Sequence, residues 1–357
     1  MTLRSILAAV LAVVILYLLL IQPNHPAAVA WDALLLFPLE LPAILLALLA
    51  LGTSRAGLAL RLALVAALTI IVVVKTADFV MFTSLNRGFN PVGDMPLVRS
   101  FYHLIVGNLG HAAAIAAVIG ATLVIPGLAA AAWWAMRVWS RLPLPRPLPA
   151  LAAVAAVAAA GLVVTDVGAK MGRWSMPFSY PGTAFTARVG VERIETAQQT
   201  IANLLVFRAA AKNDPFAGQA GLFDLLDRDI IVVFVESYGR TSLDTPLYAN
   251  LHRETLTNAQ TELEALGLAM SSTLLASPTQ GGQSWLAHST FANGLWIADQ
   301  TSYRAALSSG RQTLFHLAGQ SGFHTAAVMP QITLDWPEAQ FMGFETILAE
   351  ADLGYAG

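Results

Sequence analysis

Two short stretches carry residue types that do chemistry. In Asp229–Glu236 (DIIVVFVE) a continuous apolar, β-branched run closes on a carboxylate, Glu236. Such a run between polar flanks predicts a buried, parallel strand, which presents Glu236 at a sheet edge. A carboxylate held there is a usual ligand for a hard divalent cation; the alternative is an ordinary strand-end acid in water. In the second stretch the loop Ser277–Gln283 (SPTQGGQ) leads into Ser284, the start of a predicted helix Ser284–Asn293 that Gly294 stops. Free N–H groups and the helix dipole at that point favour a phosphate or a phosphoryl transition state. Serine there is otherwise a plain N-cap, and local spacing alone favours the cap. The glycine pair and the upstream Glu236 tip the reading toward a nucleophile. Thr279, in the loop before the glycines, is the fallback nucleophile. His288 lies four residues after Ser284 on the same helical face, placed for a leaving group, a substrate or a structural hydrogen bond. Trp285 and Trp296 read as core or rim, and His316 and His324 as structural. Asp335, Trp336 and Glu338 follow a third strand and are further candidates.

The elements around these residues alternate. Arg253–Leu266 reads as a helix, Leu268–Ala276 as a strand, Arg311–Gln320 as a helix and Phe323–Met329 as a strand. Alternation of this kind argues for a parallel or mixed sheet covered on both faces, with ligands beyond the carboxyl ends of its strands. Upstream, residues 167–188 are rich in Gly, Pro, Ser and aromatics, an irregular stretch. Val189–Lys212 has helical apolar spacing at Val191, Ile194, Ile201, Leu204 and Leu205 and predicts an amphipathic linker helix.

The first part of the chain belongs to a different solvent. Residues 1–166 hold 9 Lys/Arg and 5 Asp/Glu, whereas residues 167–357 hold 11 and 17. Five apolar runs, Ile6–Ile21, Ala33–Leu51, Leu58–Phe82, His111–Met136 and the Ala-rich Leu148–Val164, are read as membrane spans, the first as an uncleaved anchor. Three domains follow: 1–166 in the membrane, 167–228 as linker, 229–357 as the α/β part. Arg4, Arg55, Arg61, Arg137, Arg141 and Arg146 cluster at alternate ends, against Arg87, Arg99 and nearby Lys75 at the others. That bias puts the N-terminus inside and, with five spans, residues after 166 outside the cytoplasm. Glu40 and Lys75 lie at similar depth in neighbouring spans and are expected to pair. Thr83–Gly110 reads as a long outer loop. Hydrophobic residues at 56%, charged residues at 12% and a net charge of −2 exclude a uniformly soluble protein, a disordered chain and a basic nucleic-acid binder. With no cysteine there is no disulfide, thiolate zinc site or cysteine nucleophile.

VVFVESYGR (232–240) followed by SPTQGGQSWLAHSTFANG (277–294) resembles the opening of the alkaline phosphatase/sulfatase superfamily. The whole layout is similar to its membrane-anchored lipoteichoic acid synthase and phosphoglycerol transferase branch. The resemblance implies a five-span α-helical membrane domain, a linker helix and an extracytoplasmic α/β sulfatase-like (alkaline phosphatase-type) domain on a bacterial cytoplasmic membrane. It implies that Glu236 is a metal ligand and that Ser284 is the nucleophile, phosphorylated on Oγ and also bound to the metal, Mn2+ with Mg2+ or Zn2+ as alternatives. The partners it implies are a phospholipid donor such as phosphatidylglycerol, which loses its phosphoglycerol and leaves diacylglycerol, and a glycan or polymer hydroxyl as acceptor.

Departures from the family accompany the matches. No Asp-His dipeptide is present, although the superfamily supplies later metal ligands that way. Residues 229–357 are less than half of what the fold uses, so the α/β domain is expected to be incomplete, with its remaining ligands beyond residue 357 and little activity by itself. A formylglycine sulfatase is disfavoured by the spacing around Ser277-Pro278, and a serine esterase by the missing Gly-x-Ser-x-Gly elbow. A phosphoethanolamine transferase, or another phospho- or sulfo-ester hydrolase of the superfamily, shares the layout. A catalytically inactive, membrane-anchored binding domain is the alternative of another class. A channel or transporter is disfavoured, because the spans hold few polar groups.

Overall fold

A computed structural model describes residues 2–176, 181–219, 221–235, 238–279, 282–330, 332–333, 336 and 338–354. The chain forms two compact units, Met1–Ala202 and Asn203–Gly357.

The first unit is helical. Its elements are α1 (Leu3–Ile21), α2 (Glu40–Leu51), α3 (Arg55–Leu85), α4 (Leu97–Ser140), α5 (Leu148–Lys170) and the first part of α6 (Phe185–Lys212). Four of these, α1, α3, α4 and α5, are long and apolar enough to cross a membrane. At 1.5 Å per residue α2 covers only about 18 Å, well short of the ~30 Å hydrocarbon layer. The sequence reading ran this second apolar segment from Ala33, but Pro38 precedes the helix and Trp31–Leu35 forms a separate 3-10 turn. The Tyr17 hydroxyl fastens that turn to α1 by donating to the Leu34 and Leu36 carbonyls. Ala12, Leu16, Leu20, Leu41, Ile44, Leu48, Leu68, Ala135 and Met136 form the core between α1, α2, α3 and α4.

The region read as an outer loop over Thr83–Gly110 is largely helical. Asn86 closes α3 in a left-handed conformation (φ 51°). The turn that follows is built on Asp94, whose carboxylate accepts from both ends of the Arg87 guanidinium at 2.8 and 2.7 Å and from the Asn90 N–H. α4 begins at Leu97 and breaks at Gly110 (φ 83°, ψ 169°), a conformation that glycine adopts without a Cβ penalty.

The second unit takes in the end of α6 and then α7 (Thr241–Asp244), α8 (Ala249–Ala265), α9 (Ser284–Asn293), α10 (Gln300–Leu307), α11 (Leu314–Gln320), β1 (Ala326–Met329), α12 (Ala339–Met342) and β2 (Thr346–Ala349). β1 and β2 pair in parallel, with Ala326 opposite Thr346 and Met329 opposite Ala349. Phe207 and Ala211 of α6 pack with Leu286, Ile297, Tyr303, Ala305 and Ala306. The expected strands at Asp229–Glu236 and Leu268–Ala276 are not strands: among the described residues neither stretch pairs in a ladder. A β-branched run is stable as a strand only when neighbouring strands take up its backbone groups. Ile231 and Val233 are 85% and 73% exposed, and among the described residues no strand flanks them.

Candidate functional site

The turn before α9 fixes how Ser284 is shown. Gly282 and Gln283 both lie at positive φ, 63° and 57°, which is uncommon for a glutamine. Gln283 is the N-cap and makes no side-chain capping bond, so Ser284 is the first helical residue and not the cap. The Leu286 N–H returns to the Gln283 carbonyl, closing the first turn. Leu286, Ala292 and Asn293 are buried, which anchors the helix from behind, and the Thr290 hydroxyl accepts from the Ile297 N–H to fix the exit. Ser284 itself is half-buried at the open end.

One contact joins the two chemistry-bearing stretches. The Phe234 ring lies 4.3 Å from the His288 ring and 5.5 Å from Phe291. The segment that leads to Glu236 therefore packs on the helix that begins with Ser284, one turn from the serine. Glu236 lies outside the described residues, as does Asp335. Within the same motif, Tyr238 donates to or accepts from His252 Nε2 at 3.0 Å, and Arg253 donates to the Leu243 carbonyl, tying α8 to α7. Thr279 turns back on its own loop, where its N–H and hydroxyl meet Ser277 Oγ at 3.3 Å.

The Ser284 oxygen is of the right class for a hard divalent cation, and its hydroxyl is not used as a cap. Glu236 would be the second ligand. Among the described residues no group of three or more His, Asp or Glu gathers to hold a metal.

The other candidates serve the fold around the site. His316 Nδ1 accepts from the Thr313 N–H at 3.2 Å while Thr313 caps α11, and the Thr313 hydroxyl reaches the Met342 carbonyl at 2.5 Å. Burial lowers the His316 pKa below its ordinary value. Gly343 (φ 83°) packs on that ring so closely that a Cβ would sit 2.6 Å from Nδ1. His324 bridges Glu345 and Thr346 beside β2. Tyr303 is buried in the core, and desolvation, reinforced by the charge of Glu338, pushes its pKa up to about 12. Trp336 sits 6.3 Å from Phe344.

Within the first unit the sequence reading missed a polar cluster around the first turns of α6. Glu40 and Lys75, expected as an ion pair, do not meet within ion-pair distance; each is held by that turn instead. Lys75 is fully buried and donates to the Leu20 carbonyl at 2.9 Å and the Thr186 hydroxyl at 2.6 Å. Glu40 accepts from the Ala187 N–H at 2.8 Å. Asp166 accepts from the Ala184 N–H at 2.7 Å. Asp78 accepts from Arg193, Asn24 and the Phe89 N–H. The available signal was the presence of four ionisable residues in apolar helices; their partners on α6 lie too far along the chain for spacing to reveal.

No protein-family model, no curated protein and no solved structure matches this chain.

Proposed function

We propose that the chain transfers a phosphate-linked headgroup from a membrane phospholipid to a hydroxyl of a glycan or polymer, with Ser284 as the nucleophile. The observation that carries this reading is the Phe234–His288 contact, which packs the apolar run ending at Val235 against the helix that Ser284 opens. In the first step Ser284 Oγ attacks the phosphodiester phosphorus. A P–O bond to serine forms, the P–O bond to diacylglycerol breaks, and the hydroxyl proton passes to the departing alkoxide. In the second step the acceptor hydroxyl attacks the same phosphorus, the P–O bond to serine breaks, and the acceptor's proton passes to Ser284 Oγ. The N–H groups of the first turn of α9 face developing negative charge. His288, one turn along, is within reach of the leaving group. A divalent cation held by Ser284 and Glu236, Mn2+ in this reading, would neutralise charge on the phosphoryl oxygens.

The location belongs to the same proposal. In this reading the apolar segment Ala33–Leu51 supplies the fifth crossing, and the arginine-rich end of the bundle faces the cytoplasm. The α/β part then stands outside a bacterial cytoplasmic membrane. Anchoring there raises the effective concentration of donor. The test incubates the full chain in vesicles with Mn2+ and headgroup-labelled phosphatidylglycerol. Label is expected on Ser284 and then on acceptor. Transfer that survives Ser284→Ala overturns the assignment.

A further inference from the structure

We propose that the basic end of the membrane bundle holds a phosphodiester site for an anionic phospholipid, in the groove between Trp134, Arg137, Val138 and Arg141 at the end of α4. It does not depend on the Ser284 chemistry.

The charge pattern comes first. Between Met95 and Thr165 the sequence has no Asp or Glu, yet it has Arg137, Arg141 and Arg146. The nearby starts of α1 and α3 add Arg4, Arg55 and Arg61, whereas the carboxylates of α2 and α3, Glu40 and Asp78, lie toward the opposite ends of those helices. Arg61 of α3 donates to Ser140 Oγ at 3.1 Å and lies 5.2 Å over the Trp133 ring, which sets the start of α3 beside the end of α4. The Trp139 indole donates to the Ala9 carbonyl, which brings α1 alongside. Arg61 is buried and donates to the Gly57 carbonyl and the Ser140 hydroxyl, and among the described residues no acid pairs with it.

Arg137 and Arg141 differ from Arg61. Both are exposed, they stand one helical turn apart, and among the described residues neither guanidinium has a hydrogen bond or an ion pair. With Trp134 and Val138 they line a cleft of about 280 Å³. Guanidinium forks match phosphate oxygens in pairs. The carbonyl end of a helix repels an anion, but here the Val138 and Trp139 carbonyls are taken by the N–H groups of Arg141 and Leu142. Half of the lining is apolar, and Trp134, 39% exposed, is the kind of side chain that settles at a membrane interface. A free phosphate has no use for that half; a lipid places its glycerol and first acyl carbons there. Basic pockets at helix ends select anionic headgroups by this arrangement.

The test reconstitutes the full chain in phosphatidylcholine vesicles containing either spin-labelled phosphatidylglycerol or spin-labelled phosphatidylcholine. The unmodified chain is expected to hold the anionic label preferentially. Arg137→Gln combined with Arg141→Gln is expected to cut that preference roughly tenfold, and Arg99→Gln to leave it unchanged. An unaltered preference in the double variant overturns the site. Inorganic phosphate that displaces the label at millimolar concentration shows a free-anion site and overturns the lipid assignment. If the double variant does not incorporate, salt decides on the unmodified chain: a preference that persists at about 1 M, where the Debye length is about 3 Å, is not electrostatic and also overturns it.

Discussion

Lys75 Nζ donates to the Thr186 hydroxyl at 2.6 Å across 111 positions of sequence. The Thr186 hydroxyl in turn donates a hydrogen bond to the Leu20 carbonyl, which Lys75 also reaches. One residue further, Ala187 holds Glu40 by its N–H. The opening turn of α6 is thus what the buried charges of α2 and α3 have in place of water. Charges inside an apolar bundle persist only when they are paired or hydrogen-bonded, so α1, α2, α3 and α6 are fixed together at this point.

Glu40 and Lys75 also act on each other electrostatically. Lys75→Met removes the donor to the Leu20 carbonyl and the Thr186 hydroxyl together with the positive charge near Glu40, and is expected to cost about 1–3 kcal/mol. Adding Glu40→Leu removes the stranded charge, so the double variant should be less damaged than the sum of the singles. Thermal unfolding of the detergent-solubilised full chain measures all three. Additivity within about 0.5 kcal/mol would show that the two charges are independent.

Ser284 is the first helical residue and Gln283 the N-cap, so the serine hydroxyl does not hold the helix together. Ser284→Ala should change stability by no more than about 0.5 kcal/mol, whereas the loss of a working cap costs about 1 kcal/mol. Headgroup transfer by the same variant should fall by about 10⁴-fold or more. A lowered melting temperature together with retained transfer would return the residue to a capping role.

His316 accepts a hydrogen bond from the Thr313 N–H through Nδ1, which requires a neutral ring, and burial lowers its pKa. The unfolded chain, with an ordinary histidine, binds the extra proton first as pH falls below about 6.5. Stability at α11 is therefore complete above that pH and is lost as pH drops through the lowered native value. Hydrogen-exchange protection of α11 amides in the full chain, corrected for intrinsic rates, should decline over that window. His316→Gln should abolish the decline; an unchanged pH slope in that variant rules out this origin.

What the sequence made legible follows from where the information resides. The apolar runs of α1, α3, α4 and α5 need only composition to be seen, since lipid imposes it on every face. Ser284–Asn293 was legible because its stop, Gly294, is a local signal. Leu97–Leu109 was not, because Arg99, Tyr102 and His103 interrupt the apolar pattern that marks a span. Ile230–Val235 has the composition of a buried strand, but strand formation is settled by partners elsewhere in the chain, and the described residues supply none. The anchoring of Glu40, Lys75, Asp78 and Asp166 was half legible. Their cost in an apolar bundle is visible residue by residue, while Thr186, Ala187 and Arg193 come from α6, a helix whose docking no local period encodes, and Ala184 is the residue before it.

Phe234 offers the sharpest test of how the two motifs cooperate. It touches no reacting atom in the proposed reaction; its ring meets His288 and Phe291, and it lies two residues before Glu236. Aromatic pairs of this kind contribute about 0.5–1.5 kcal/mol beyond simple burial, enough to bias where the following residues settle. If Phe234 is a positioning residue, Phe234→Ala should lower kcat by about ten- to a hundredfold, the scale on which small misplacements act. KM for the lipid should stay nearly constant, and half-maximal activity should need more Mn2+. Phe234→Tyr, which keeps the ring, should restore most of kcat. A change in KM alone, or a loss of rate with unaltered Mn2+ dependence, would mean that Phe234 merely covers α9 and that the Glu236 segment is not aligned through it.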